Sequence, residues 1–322
     1  MKYIFFGSSN FSKLLLENLI KDGFEKPCLV ITQPAKPKGR HKILSPTPVQ
    51  MLAEFYSLPF LTPDNLEEKS FLQKIKKIKP DFALLSGYGK IIPSSLLKIV
   101  NKGFLNLHPS LLEKYRGATP IQAAILNGDK KTGVTLFLMD EKLDHGPIIA
   151  QKEIILEDNL NYSQLEEILA QLGKELIKEA IPLYLEGKLK LKPQDEEKAT
   201  YCHKISSQEE KLDFNKSCFL VDRKVRAFNP FPGVYAEVNT NTKVTKNEIL
   251  RIKIVEGYPL KTNEPEIQKK KNGEIIKWNQ EMAVKCQDGV YILKTVRPAA
   301  KRDMSGKDFL AGHPWLIGKI FE

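Results

Sequence analysis

Lys2-Tyr3-Ile4-Phe5-Phe6-Gly7-Ser8-Ser9-Asn10-Phe11-Ser12-Lys13-Leu14-Leu15 sets a short apolar run against a small polar turn, after which Phe11, Leu14, Leu15 and Leu19 recur at helical spacing. A run this short, closed by glycine and polar residues, reads as a buried strand, and the recurrence after it as a helix packed on one face. Cys28-Leu29-Val30-Ile31 repeats the strand pattern, and Pro46-Thr47-Pro48 introduces a second helical pattern through Val49, Leu52 and Phe55. Further short runs at 81–86, 103–108 and 133–139 are bounded by Gly or Pro and separated by helix-compatible segments. Strands alternating with helices predict an α/β fold with a doubly wound, mostly parallel sheet. A long helix is expected over about 162–181, ending before Pro182.

From Leu183 to about Ser207 the pattern dissolves into a charged stretch, Glu186-Gly187-Lys188-Leu189-Lys190-Leu191-Lys192-Pro193-Gln194-Asp195, which reads as an interdomain linker. Beyond it, a helix over about 216–227 precedes short, often alternating runs at 233–236, 250–255, 273–276, 282–286 and 290–293. That is the pattern of a small antiparallel barrel or sandwich. The expected organisation is a first domain over 1–182, a linker over 183–207 and a β-rich domain over 208–322.

Several function classes drop out. No apolar run approaches the roughly 20 residues that span a bilayer, and the opening run is too short for a signal-peptide core, so no membrane association and a cytoplasmic location are expected. Cys28, Cys202, Cys218 and Cys286 form no C-x-x-C pair and the five histidines no H-E-x-x-H pair, so no metal is expected. The first loop offers Gly7 alone where a dinucleotide fingerprint needs three spaced glycines, and Gly87-Tyr88-Gly89 lacks its third. Neither a phosphate-cradling G-x-x-x-x-G-K-[ST] nor a G-x-S-x-G nucleophile elbow is present.

What remains is Asn106-Leu107-His108-Pro109-Ser110-Leu111-Leu112. Residues two apart on a strand share a face, so Asn106 and His108 point together while Leu105 and Leu107 turn into packing. Pro109 stops the ladder and leaves both near the strand's carboxyl end, where open α/β sheets bind ligands. The next strand leads into Leu143-Asp144-His145-Gly146-Pro147, an acid in a Gly/Pro-shaped loop that can face the same crevice. Asn, His and Asp suit acyl transfer to an amine that attacks the carbonyl itself. An Asn amide and an imidazole N–H can donate to the developing oxyanion, and a carboxylate can hold or charge the imidazole and help remove the amine's proton. Taken singly, His108 as a strand-end cap and Asp144 as a turn cap remain open alternatives.

These residues, followed by Tyr115-Arg116-Gly117-Ala118-Thr119-Pro120-Ile121-Gln122 and by Leu143-Asp144-x-Gly146, resemble the formyltransferase family that takes a formyl group from 10-formyltetrahydrofolate. Thr32-Gln33-Pro34-Ala35-Lys36-Pro37-Lys38-Gly39-Arg40 before Ser45-Pro46-Thr47-Pro48-Val49, and Ala227-Phe228-Asn229-Pro230-Phe231-Pro232-Gly233, extend the resemblance over essentially the whole chain. They point to those members of the family that formylate the methionine on initiator tRNA. The resemblance implies a Rossmann-like formyltransferase domain with a C-terminal OB-like β-barrel. It implies Asn106, His108 and Asp144 as catalytic residues, Ser110, Leu111 and Leu112 as the start of the folate-binding segment, and Gly87, Tyr88, Gly89 and Ile91 along the pterin pocket. The formyl donor is then 10-formyltetrahydrofolate, the partner is initiator methionyl-tRNA, and a monomer is expected. The chain departs from the family's usual pattern at Gly7-Ser8-Ser9-Asn10-Phe11, at Glu113, where Pro is usual, and at His145, where Thr is common.

Lys and Arg number 50 against 39 Asp and Glu, a net charge of +11 that is enough to attract polyanions. Residues 203–322 hold 22 basic and 15 acidic side chains, net +7, against 28 and 24, net +4, in residues 1–202, so the C-terminal third is the more basic per residue. Lys36, Lys38, Arg40 and Lys42 stand among prolines and a glycine in a stretch, 33–43, that has no acidic residue and is expected to lack regular structure. Charge alone leaves a merely solvated loop open, whereas the resemblance implies an insertion that approaches the tRNA acceptor end. Lys294, Arg297, Lys301, Arg302 and Lys307 are further candidates to lie along RNA. One rival is a formyltransferase for a small amine such as an amino sugar nucleotide, which needs neither basic region. The other is a non-catalytic RNA-binding protein, against which the presence of Asn106, His108 and Asp144 argues.

Overall fold

The structure, a computed structural model, describes residues 1–38, 43–240 and 249–322, and all of their side chains but that of Lys38. Met1–Pro120, Lys130–Leu156 and Gln164–His203 form one compact unit, and Ile121–Asp129, Glu157–Ser163 and Lys204–Glu322 form a second. In chain order the elements up to residue 202 are β1 (Tyr3–Phe6), α1 (Asn10–Lys21), β2 (Leu29–Ile31), β3 (Lys36–Lys38), β4 (Ile43–Ser45), α2 (Pro48–Phe55), β5 (Phe60–Leu61), α3 (Lys69–Ile78), β6 (Phe82–Leu85), α4 (Ser94–Leu97), β7 (Phe104–His108), β8 (Arg116–Gly117), α5 (Pro120–Asn127), β9 (Lys131–Leu138), β10 (Ile148–Ile155), α6 (Tyr162–Leu185) and β11 (Tyr201–Cys202).

The main sheet of the first unit has the order β10-β9-β7-β6-β1-β2-β5. Every residue of β1 is buried, as a strand covered on both faces requires. The parallel pairs β1·β2, β1·β6, β2·β5 and β6·β7 bring the carboxyl ends of these strands out along one edge. α1 begins at Ser9, whose hydroxyl accepts the Ser12 amide, and it buries Phe11, Leu15, Leu16 and Leu19. α2 begins in the same way at Thr47, with Pro48 in the first turn, where a missing N–H has no helical partner to lose. β9 and β10 form the antiparallel end of the sheet, because the turn over 139–147 is short enough for a hairpin and too short for a crossover.

Two expectations are corrected. The stretch expected to lack regular structure carries a two-stranded antiparallel ribbon, β3 on β4, pairing Lys36 with Ser45, Pro37 with Leu44 and Lys38 with Ile43. Pro37 is tolerated because an isolated ribbon leaves one side of each strand unpaired. α6 runs past Pro182 to Leu185, since the missing amide removes one bond near the end of a long helix, and Tyr184 ties the last turn down by donating to Lys102 O at 2.9 Å. The charged stretch 183–207 is bound to the first unit as far as His203. Ile148 and Lys192 exchange backbone bonds of 2.8 and 2.9 Å, and β11 lies parallel to β8, with Tyr201 opposite Arg116 and Cys202 opposite Gly117.

The elements after residue 203 are α7 (Cys218–Phe228), β12 (Val234–Asn239), β13 (Ile249–Lys261), α8 (Pro265–Gln268), β14 (Ile275–Trp278), β15 (Glu281–Cys286), β16 (Gly289–Pro298), β17 (Met304–Ser305) and α9 (Gly306–Gly312). The strands follow the order β12-β13-β16-β15-β14, with β17 on β16. Val234, Ala236 and Val238 are buried in alternation, the mark of a sheet with one packed face. The last residues bridge both edges, Phe321 to Val238 and Ile320 to Glu274, which makes the antiparallel sheet barrel-like. Among the described residues no helix is long and apolar enough to cross a membrane.

Candidate active site

The loops leaving β1, β2 and β6 are tied to one another at the carboxyl edge of the main sheet. The amides of Ser8 and Ser9 both donate to Gly87 O at 3.2 Å, Ser8 Oγ accepts the Gln33 amide at 3.0 Å, and Gln33 Nε2 donates to Tyr88 O at 2.5 Å. Gly87 has φ +50, and a Cβ there would stand 2.2 Å from Ser9 Oγ, so glycine is what lets this loop lie against the start of α1.

β7 delivers Asn106 and His108 to the same edge, 6% and 5% exposed. Asn106 Nδ2 donates to Asp144 Oδ1 at 3.3 Å, and the Gly117 amide donates to Asp144 Oδ2 at 2.8 Å. His108 Nε2 lies 2.9 Å from the Tyr115 carbonyl, which can only accept, so Nε2 carries the proton. Nδ1 then faces Asp144 Oδ2 at 3.8 Å, too long for a hydrogen bond and an ion pair only when the ring is protonated. The structure therefore brings Asn106, His108 and Asp144 together. Asp144 comes from the loop after β9, a strand that runs antiparallel to β7. The turn after β9 folds back on the strand, with the Leu138 amide donating to Pro147 O at 3.0 Å, and Asp144 takes φ +47.

Ser110, Leu111 and Leu112 form a braced turn. Ser110 is 1% exposed and donates to Lys114 O at 2.6 Å. Thr135, opposite His108 in the sheet, donates to Ser110 O at 2.7 Å and accepts the Leu112 amide at 3.0 Å. Gln151 Nε2 donates to Leu112 O at 2.7 Å and to Thr135 Oγ1 at 2.9 Å. Gly87 and Gly89 sit in the loop after β6, but the Tyr88 ring between them is buried edge-on against Phe6 at 5.5 Å. Its hydroxyl has no partner among the described residues, and burial pushes it up to about 12. Ile91 is 86% exposed while Ile92 is buried, so Tyr88 can offer a ligand its main chain only and Ile91 a surface side chain.

Lys36 lies on β3 with Nζ 2.6 Å from Gln33 Oε1, and Lys38 ends the same strand. Arg40 and Lys42 lie outside the described residues. In the second unit Arg297 is paired with Asp303, and Lys294 lies 3.7 Å from Glu256.

The residues that sequence reasoning missed surround Asp144. Arg116 is 1% exposed and spends all five N–H donors inside the protein. Nε and Nη2 donate to Gln194 Oε1 at 3.1 and 2.9 Å, Nη1 and Nη2 to the two carboxylate oxygens of Glu196 at 3.1 and 2.8 Å, and Nη1 to the Tyr201 hydroxyl at 3.2 Å. Gln194 in turn donates from Nε2 to the carbonyls of Asp144 and Gly146, at 2.9 and 2.8 Å. Hydrogen bonding to Glu196 raises Arg116 further above its ordinary value.

A family model described as formyl transferase matches residues 1–181, and one described as formyl transferase, C-terminal domain, matches residues 204–314. Fold and site together thus define a formyl transferase with both of the family's domains. The chain is 39% identical over 310 residues to the methionyl-tRNA formyltransferase of Thermodesulfovibrio yellowstonii, covering 96% of this chain and 95% of that one. It is 35% identical over 312 residues to the methionyl-tRNA formyltransferase of Bacillus velezensis, covering 97% and 94%. The chain belongs to the methionyl-tRNA formyltransferase family. Among solved structures the fold is similar to that of HypX from Aquifex aeolicus in complex with tetrahydrofolic acid, with a TM-score of 0.63 and 18% identity over 96% of this chain and 47% of that one. It is also similar to the sugar 3N-formyl transferase WlaRD, with a TM-score of 0.61 and 19% identity over 94% and 99%.

Proposed function

We propose that the chain transfers a formyl group from 10-formyltetrahydrofolate to the α-amino group of the methionine carried by initiator tRNA, as a monomer in the cytoplasm. The observation that carries this reading is the Asn106, His108 and Asp144 cluster, set in a chain similar to methionyl-tRNA formyltransferases over both of its units. Two donors and a carboxylate, with no side-chain nucleophile among them, fit a carbonyl carbon that an outside amine attacks. The donor, when bound, supplies that activated formyl carbon.

The chain's own residues supply the rest. Asn106 donates to the formyl oxygen as negative charge gathers there. His108, its Nε2 proton held by Tyr115, adds a second donor when Nδ1 is protonated, and the Asp144 carboxylate 3.8 Å away balances the ring's charge. Asp144 also takes the proton that the attacking amine sheds, that proton passes to the folate nitrogen as its bond to the formyl carbon breaks, and the Gly117 amide keeps the carboxylate aimed. Ser110, Leu111 and Leu112, with the main chain of Gly87, Tyr88 and Gly89 and the side chain of Ile91, hold the folate. Lys36, Lys38, Arg40 and Lys42 meet the tRNA.

Incubation with 10-formyltetrahydrofolate and charged initiator tRNA should yield formylmethionine. Asn106→Ala and His108→Ala should each lower turnover by about 10²–10³, the usual cost of one oxyanion donor, with the melting temperature unchanged. Formylation of an amino sugar nucleotide in place of the tRNA would replace this reading with the small-amine one. Normal turnover in His108→Ala would remove His108 from the machinery.

A further inference from the structure

Gln194 has no hydrogen-bonding capacity left for a substrate. Its Oε1 accepts two bonds from Arg116, at 3.1 and 2.9 Å, and its Nε2 donates to the carbonyls of Asp144 and Gly146 at 2.9 and 2.8 Å. That fills both lone pairs and both amide hydrogens. The orientation of the amide is also settled, since Arg116 can only donate and its partner atom must be the oxygen. Behind it the guanidinium is anchored by Glu196 and Tyr201, so Gln194 presents its two N–H groups from a fixed base.

What those two groups hold is the backbone on either side of His145. Asp144 sits at φ +47, in the left-handed region that a non-glycine residue adopts at a cost. Gly146 is pressed so closely on the end of β9 that a Cβ there would stand 1.8 Å from Leu138 O. In that conformation the Asp144 carboxylate receives the Gly117 amide at 2.8 Å and Asn106 Nδ2 at 3.3 Å. Both contacts are made from that backbone conformation.

We propose that Gln194, oriented by the buried Arg116, is a positioning residue that holds the Asp144 turn in the conformation aiming its carboxylate at Asn106, His108 and the reacting amine. The proposal rests on the catalytic reading of Asp144 given above. It differs from a purely structural staple between residues 192–202 and the rest of the first unit, because a staple has no reason to act on turnover separately from stability or substrate binding.

The test is Gln194→Glu in the full chain, with Gln194→Ala, Asp144→Asn and the unaltered protein in parallel. Glu keeps the oxygen facing Arg116 but turns a second oxygen toward the two carbonyls, so the clamp is replaced by repulsion while the ion pair favours a folded chain. Turnover of Gln194→Glu and Gln194→Ala should fall by about 10- to 100-fold, the scale expected when a reacting group is displaced by about 1 Å. The KM values for 10-formyltetrahydrofolate and charged tRNA should stay within about twofold, since the Gln194 side-chain amide has no donor or acceptor left to offer either substrate. Hydrogen exchange at the Gly117 amide should quicken by about tenfold or more as its bond to Asp144 opens. Full turnover in both variants, or a loss confined to KM and melting temperature with Gly117 exchange unchanged, would overturn the proposal. If the unaltered protein does not formylate tRNA, the functional reading fails, and Gly117 exchange in Gln194→Glu still decides whether Gln194 holds the turn.

Discussion

Arg116 shows what a buried charge needs. A guanidinium taken out of water is strongly unfavourable unless its donors are matched, and here five donors meet one amide oxygen, one carboxylate and one phenol. The carboxylate is the weak partner, because the Glu196 side chain is 57% exposed and solvent screens it. Bonding to Arg116 holds Glu196 below its ordinary 4.5. A carboxyl lowered by folding adds stability at pH above its unfolded value and loses it as the pH falls through the folded one. The Arg116 clamp is therefore complete at neutral pH and weakens as the pH falls below the carboxyl's ordinary 4.5 and through its lowered folded value. Glu196→Gln should melt slightly below the unaltered protein at pH 7, and the gap should close as the pH is lowered through that range. Thermal unfolding of the two proteins at a series of pH values measures it. A gap that does not narrow as the pH falls below 4.5 would show that the carboxylate's charge is not what Arg116 requires.

At the scale of elements, β8 and β11 matter out of proportion to their two residues each. Gly117 has φ +121, and a Cβ there would lie 2.2 Å from Cys202 O, so the parallel pairing and the donor to Asp144 both depend on glycine. Gly117→Ala should cost about 1–3 kcal/mol for the backbone conformation alone. A urea midpoint equal to that of the unaltered protein, with full turnover, would contradict this. No sequence pattern announces these strands. β1, β2, β6 and β7 are legible because each is an apolar run closed by Gly, Pro or small polar residues, and Asn106 and His108 are legible because alternation along a strand is local. Pro37 disguises the β3·β4 ribbon. Gln194 and Glu196 are hidden for another reason: they lie 78 and 80 positions from Arg116, inside a stretch whose charge and lack of period imitate a linker. Only the burial of Arg116 reveals that partners must exist.

For the whole molecule, the relevant quantity is how charge is shared along the chain. Residues 203–322 carry a net +7 and residues 1–202 a net +4. Part of that charge is already matched internally, as at Arg297 with Asp303 and Arg251 with Glu237, so formal charge overstates what a polyanion meets. Basic groups that remain available bind phosphates by releasing condensed cations, and the affinity then falls with salt in proportion to the number of phosphates engaged. Three such contacts would weaken binding by roughly 20- to 40-fold between 50 and 200 mM salt, depending on whether single- or double-stranded RNA is met. The affinity for initiator tRNA should fall by at least that factor. Folate binding at the site proposed for it, which needs no row of phosphates, should change little over the same range. Arg40→Ala should leave the melting temperature unchanged and make the salt dependence shallower by about one contact, so its defect is largest at low salt. Binding titrations of tRNA and of folate across a salt series test both statements. If tRNA affinity proves as insensitive to salt as folate affinity, the excess of lysine serves solubility, and tRNA must be selected by contacts other than charge.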